Sequence, residues 1–80
     1  MIIKGNIALS ENGFVFNPAT GDSYTINNTG KEVLMLIREG KSIDQITGLM
    51  LGKYDVDKTT LERYLADFVN DLSVNNLLEE

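Results

Sequence analysis

The stretch Phe14-Val15-Phe16-Asn17-Pro18-Ala19-Thr20-Gly21-Asp22-Ser23-Tyr24-Thr25-Ile26 constrains the fold more than any other part of the chain. Two runs of aromatic and β-branched residues flank a short segment holding Pro and Gly, which is the pattern of an antiparallel hairpin. Pro18 presets φ for a turn, and Gly21 can take the left-handed conformation that brings the chain back. If residues 18–21 form a four-residue loop, Asn17 faces Asp22, Val15 faces Tyr24 and Phe14 faces Thr25. Apolar groups then fall on both faces of the hairpin. A one-residue shift in register exchanges those faces, so the sequence leaves open which of them is the core.

Upstream of the hairpin, Ile3, Ile7 and Leu9 stand on alternate positions within residues 2–10, as in a half-buried strand, with Gly5 weakening its first half. Three helical patterns follow. In the first, Thr29 and Glu32 have capping-box spacing, with Asn28 competing for the cap; Val33, Leu34, Leu36 and Ile37 form the apolar stripe, and Gly40 is the stop. In the second, Ser42 and Gln45 form another candidate capping box ahead of Ile43, Ile46, Leu49 and Met50. Gly48 weakens this helix by roughly 1 kcal/mol relative to alanine, making it the least stable of the three. Asp57 can cap the last helix, where Leu61, Tyr64, Leu65, Phe68, Val69 and Leu72 recur at three and four residues, and Asn76 suits a left-handed stop. The expected fold is α+β: a three-stranded antiparallel β-sheet followed by three helices, winged-helix-like. With 80 residues, 42% of them apolar, the chain supports one core, and residues 1–80 are expected to be one domain.

Composition excludes most chemistry. The sequence has no cysteine and no histidine, which removes disulfides, thiolate nucleophiles, imidazole bases and the commonest zinc ligands. Ser or Tyr without a nearby base is an ordinary side chain far more often than a nucleophile, so no catalytic residue, cofactor or metal is expected. The first residues show no signal-peptide stretch, and nowhere do about 18 apolar residues run together, so a cytoplasmic protein without a membrane span is expected. The net charge of −5 is concentrated in the second half. Such a surface repels phosphate backbones.

Several short patterns have plainer explanations than the chemistry they suggest. Gly48 through Lys53 has three residues between its glycines, no Ser or Thr after the lysine, and a helical setting in which no phosphate-binding nest can form. The same glycines match a membrane-helix dimer motif only by spacing. Asn27-Asn28-Thr29 reads as a turn into a helix cap rather than a glycosylation site. Asp55, Asp57, Glu62, Asp67 and Asp71 do not bring together the oxygens a hard cation needs, and a cap plus a solvated face accounts for them. Ser73 comes late in a helix and precedes Val74, unlike the carrier serine of acyl carrier proteins, which opens a helix and precedes leucine.

The order of elements and the wording of Asn17-Pro18-Ala19-Thr20-Gly21-Asp22-Ser23-Tyr24-Thr25-Ile26-Asn27-Asn28-Thr29-Gly30 together resemble the PqqD family. That family comprises the pyrroloquinoline quinone synthesis chaperone and the recognition elements of ribosomally made, modified peptides. The similarity runs on through Glu39-Gly40-Lys41-Ser42-Ile43, Ile46 and Tyr54-Asp55-Val56-Asp57 into the closing helix, covering about the whole chain. Ile26 stands where leucine is usual, and Asn76 where glycine often precedes the final leucines; asparagine is the best substitute at a left-handed stop.

The resemblance implies a non-catalytic peptide chaperone that holds the leader of a precursor peptide and presents it to a modifying enzyme, often a radical-SAM protein. In the family the peptide adds as a strand to the third strand of the sheet, in a groove beside the third helix. Carried over, the binding strand is Asp22, Ser23, Tyr24, Thr25 and Ile26, and the wall draws on Leu61, Tyr64, Leu65 and Phe68. Strand addition works because an edge offers unpaired N–H and C=O groups while alternate side chains enter pockets. At least half of the four helix residues are expected to be core instead, since an apolar helix face must pack on something. The competing reading is a winged-helix DNA-binding regulator, which needs a basic recognition helix; Lys58 and Arg63 stand against Asp57, Glu62, Asp67 and Asp71. The sequence leaves the peptide, the partner enzyme and any homodimer unnamed.

Overall fold

The computed structural model describes residues 1–79. The hairpin forms as its turn chemistry requires: β3 (Phe14–Asn17) pairs antiparallel with β4 (Asp22–Thr25), with Asn17 opposite Asp22, Val15 opposite Tyr24 and Phe14 opposite Thr25. Asn17 closes the loop from both sides. Its side-chain Oδ1 accepts from the Ala19 N–H at 3.0 Å, and its carbonyl accepts from the Gly21 N–H at 2.8 Å. Gly21 takes φ +78, where a Cβ is disfavoured. The core face, open in the sequence, is the one holding Val15 and Asn17, each 1% exposed; Phe14 and Phe16 point outward at 51% and 41%.

The N-terminal segment departs from the single expected strand. It splits into β1 (Ile2–Ile3) and β2 (Ala8–Leu9), because the Ile7 N–H turns back onto the Lys4 carbonyl across Gly5. Only β2 joins the hairpin, giving a three-stranded sheet in the order β2-β3-β4. β1 instead pairs antiparallel with β5 (Leu78–Glu79), a strand the sequence reading lacked, with Ile3 opposite Leu78. Ile3 and Ile7 are both buried, as their alternation indicated.

The three helices are α1 (Asn28–Arg38), α2 (Ile43–Lys53) and α3 (Lys58–Val74). The cap of α1 is Asn27, not Thr29 or Asn28: its side chain accepts from the Gly30 N–H at 2.8 Å. Pairing in the hairpin extends to Ile26, whose N–H donates to the Gly13 carbonyl, so Asn27 is the first residue free to serve as a cap. Gly40 adopts φ +90, and its N–H and that of Lys41 return to the Ile37 and Leu36 carbonyls, a Schellman ending. Ser42 and Gln45 form the expected capping box of α2. Leu49, expected inward, is 51% exposed; Thr47 takes the inward position and satisfies its hydroxyl by donating to the Ile43 carbonyl at 2.8 Å. Asp57 caps α3, and Asn76 stops it at φ 60, sending Leu77 into the core.

One core results, built from Ile3, Ile7, Val15, Val33, Leu34, Ile37, Ile46, Met50, Leu61, Leu65, Leu72 and Leu77. Among the described residues no helix is long and apolar enough to cross a membrane.

Candidate functional site

The strand order leaves β4 at an edge of the three-stranded sheet. Hydrogen-bonded and non-hydrogen-bonded pairs alternate along an antiparallel ladder, and the Ile26 N–H to Gly13 carbonyl bond of 2.8 Å fixes the phase. Tyr24 therefore spends its backbone groups on β3, while the Asp22 N–H donates to the Thr20 hydroxyl at 3.3 Å within the loop. Ser23 and Thr25 direct theirs away from the sheet, toward whatever lies beside it. On the opposite side of β3 the Ser10 N–H donates to the Phe14 carbonyl at 2.9 Å, consistent with the same alternation.

Beside this edge runs a groove of about 440 Å³ between β4 and α3. Its floor is apolar and buried, made by Val15, Leu34, Leu72 and Leu77. Tyr24 and Ile26 form the wall on the strand side, and Tyr64 and Phe68 the wall on the helix side. The two helix rings lie 6.2 Å apart between centroids and tilted by 36°, a continuous aromatic surface. Tyr64 also closes the groove against the start of α1, since its hydroxyl would lie 3.7 Å from a Cβ built on Gly30. Burial raises the pKa of the Tyr64 hydroxyl. That of Tyr24 is raised first by desolvation and then by the charge of Asp22. Both rings meet the groove as neutral hydroxyls at physiological pH.

The sequence-derived residues divide here. Tyr24, Thr25, Ile26, Tyr64 and Phe68 line one groove, while Asp22 and Ser23 continue the exposed edge. Leu61 and Leu65 do not reach it: they are 4% and 1% exposed, packed in the core beneath α3. The heptad-like spacing of α3 could not separate the two sets, because positions 61 and 65 lie one helical turn apart on the stripe that also carries 64 and 68. The sequence reading missed the polar rim, Asp67, Asp71 and Asn75, along the helix side of the groove. Its signal was available, since 64, 68, 71 and 75 recur at helical spacing. Among the described residues no three potential metal ligands converge.

Comparison with known proteins adds an independent line. A family model described as coenzyme PQQ synthesis protein D (PqqD) matches residues 12–78. The solved structure of TbiB1 in complex with the TbiA(beta) leader peptide is similar at a TM-score of 0.89 and 29% identity, over 99% of this chain and 95% of that one. Lasso peptide synthetase B1 complexed with the leader peptide has the same fold, with a TM-score of 0.85 and 21% identity over 98% and 95% of the two chains. No curated protein matches the chain.

Proposed function

The chain belongs to the PqqD family, and from that premise we propose that it is a non-catalytic module that binds the leader segment of a ribosomally made precursor peptide. The peptide lies as an added strand against Ser23 and Thr25 of β4, with apolar side chains entering the groove between Tyr24 and Ile26 on one side and Tyr64 and Phe68 on the other. The bound leader is thereby held for a separate modifying enzyme, which carries the chemistry this sequence lacks.

The observation that carries the reading is the unpaired edge of β4 directly beside an apolar, aromatic-walled groove. An exposed edge is ordinarily blunted by charge, proline or a covering loop. Here the outward residues are Ser23 and Thr25, and a groove sized for side chains adjoins them. Strand addition uses both features, the backbone for affinity and alternate pockets for specificity. The leader peptides in the two similar structures support the assignment. Duplex DNA suits the same surface poorly, since Asp67 and Asp71 rim the groove and no Lys or Arg lines it.

Amide-shift mapping during titration with leader peptides of ribosomal precursors tests the proposal. The expected result is large shifts at residues 22–26 with accompanying changes at Tyr64 and Phe68. Shifts concentrated on α2 and its flanking turns, with β4 silent, would refute strand addition.

A further inference from the structure

We infer that the groove selects peptides bearing a lysine or arginine beside their apolar anchors, and that Asp67 and Asp71 make the selection. The inference rests on the peptide-binding reading of the same groove. The two aspartates are four residues apart on α3, so their carboxylates stand on one helix face, and both line the groove at its exposed rim. No cation lines the groove with them, and neither forms an ion pair among the described residues. Arg63 stands one helical turn before Asp67 but, among the described residues, neither pairs with it nor lines the groove; elsewhere Lys53 binds Glu32, and Lys31 donates to the Glu11 carbonyl at 2.7 Å.

The placement is unfavourable for the free helix on two counts. Like charges at this spacing repel. Asp71 also sits in the last turn of α3, where the helix dipole favours a cation, and that turn has no basic residue. A bound cationic side chain relieves both. A strand docked on β4 sends alternate side chains toward α3, and a Lys or Arg among them can lay its methylenes over Phe68 while its charged head reaches the carboxylates. An acidic peptide meets the opposite: the two rim charges, Asp22 at the start of the edge strand, and a net charge of −5. Rim charges of this kind act on partner choice and association rate more than on total affinity.

The test selects a random decapeptide display library on the full chain, resynthesises enriched peptides, and measures their Kd by fluorescence anisotropy while mapping their amide shifts. Enriched peptides should carry Lys or Arg at a fixed spacing from their apolar residues. Changing that residue to Gln should weaken binding roughly two- to fivefold at low salt, the range of an exposed ion pair. The loss should vanish at about 0.5 M salt, where the screening length falls to a few ångströms. It should also vanish in the Asp67→Asn, Asp71→Asn double variant. That variant should be at least as stable as the parent, which separates selection from misfolding. The double variant Asp44→Asn, Glu62→Gln removes the same charge from the α2–α3 face and should keep the preference. Neutral or acidic peptides enriched equally in the groove, or equal effects of both double variants, would overturn charge selection and leave the groove reading standing. Enriched peptides that shift neither residues 22–26 nor Tyr64 and Phe68 would overturn both.

Discussion

Gly13 and Ile26 meet so closely that a Cβ on Gly13 would stand 2.3 Å from the Ile26 carbonyl oxygen. Gly13 also has φ +79, and its own carbonyl accepts from the Ile26 N–H. This contact sets the end of the edge strand, since Ile26 is both the last ladder residue and a wall of the groove. Gly13→Ala should therefore destabilise the fold by more than about 2 kcal/mol, combining left-handed strain with backbone overlap. Gly48→Ala is the contrast: nothing lies within 4 Å of a Cβ there, the site is mid-helix, and a gain of about 0.5–1 kcal/mol is expected. Urea unfolding of both variants checks the pair.

The division of α3 into core and groove residues is testable by comparing stability with binding. Leu65→Ala should cost about 2–5 kcal/mol of stability, the range for a buried leucine. Tyr64→Ala and Phe68→Ala, at half-buried positions, should cost less stability and more leader-peptide affinity. If Leu65→Ala weakened binding most while remaining well folded, the groove would lie elsewhere on the helix.

The phase of the β4 ladder makes a proline scan informative. Thr25→Pro removes an N–H that faces outward, so peptide binding should fall at least tenfold while circular dichroism stays close to that of the parent. Tyr24→Pro removes an N–H spent on β3 and should disrupt the sheet itself. Equal unfolding by both substitutions would show that the outward and inward assignments are wrong.

Replacing Asn27 by alanine should remove the α1 cap at a cost of about 1 kcal/mol, while Asn28→Ala should have little effect. Thermal unfolding of the two variants distinguishes the caps directly.

Glu32 on α1 and Lys53 at the end of α2 form an ion pair. The hydrogen bond from Lys53, opposed in part by burial, lowers the Glu32 pKa, and the same bond raises that of Lys53. A lowered carboxylate pKa stabilises the fold above the unfolded-state value, and that stabilisation is lost as pH falls through the folded value. The raised lysine value acts at the other end, its contribution disappearing as pH rises through it. Carboxyl carbon shifts followed through an acid titration should place Glu32 below the ordinary glutamate range. Lys53→Met should return it there.

Much of this fold was legible because local signals agreed with the tertiary solution. The hairpin register followed from Pro18 and Gly21, and the caps at Ser42 and Asp57 and the stop at Asn76 stand where their side-chain chemistry put them. What escaped the sequence depended on distant partners. Asn27 became a cap because strand pairing consumed Ile26, and Thr47 turned inward because the Ile43 carbonyl could accept its hydroxyl. The strand at Leu78–Glu79 exists only through Ile2 and Ile3. The groove was half visible: its aromatic walls were on the apolar stripe of α3, but sorting Tyr64 and Phe68 from Leu61 and Leu65 requires knowing where β4 lies.

The pairing of β1 with β5 joins positions near opposite ends of the described chain, whereas the hairpin and helices close over short separations. Closing the longest loop is entropically the costliest step, so this clasp should assemble late and open first. Leu77 sits next to it, its carbonyl holding the Lys4 N–H at 3.0 Å while its side chain completes the groove floor. In native-state hydrogen exchange the Lys4 amide should lose protection before the helical core does. Occupying the groove over Leu77 should slow that exchange, so a ligand bound at the edge strand would be reported by an amide at the far end of the chain.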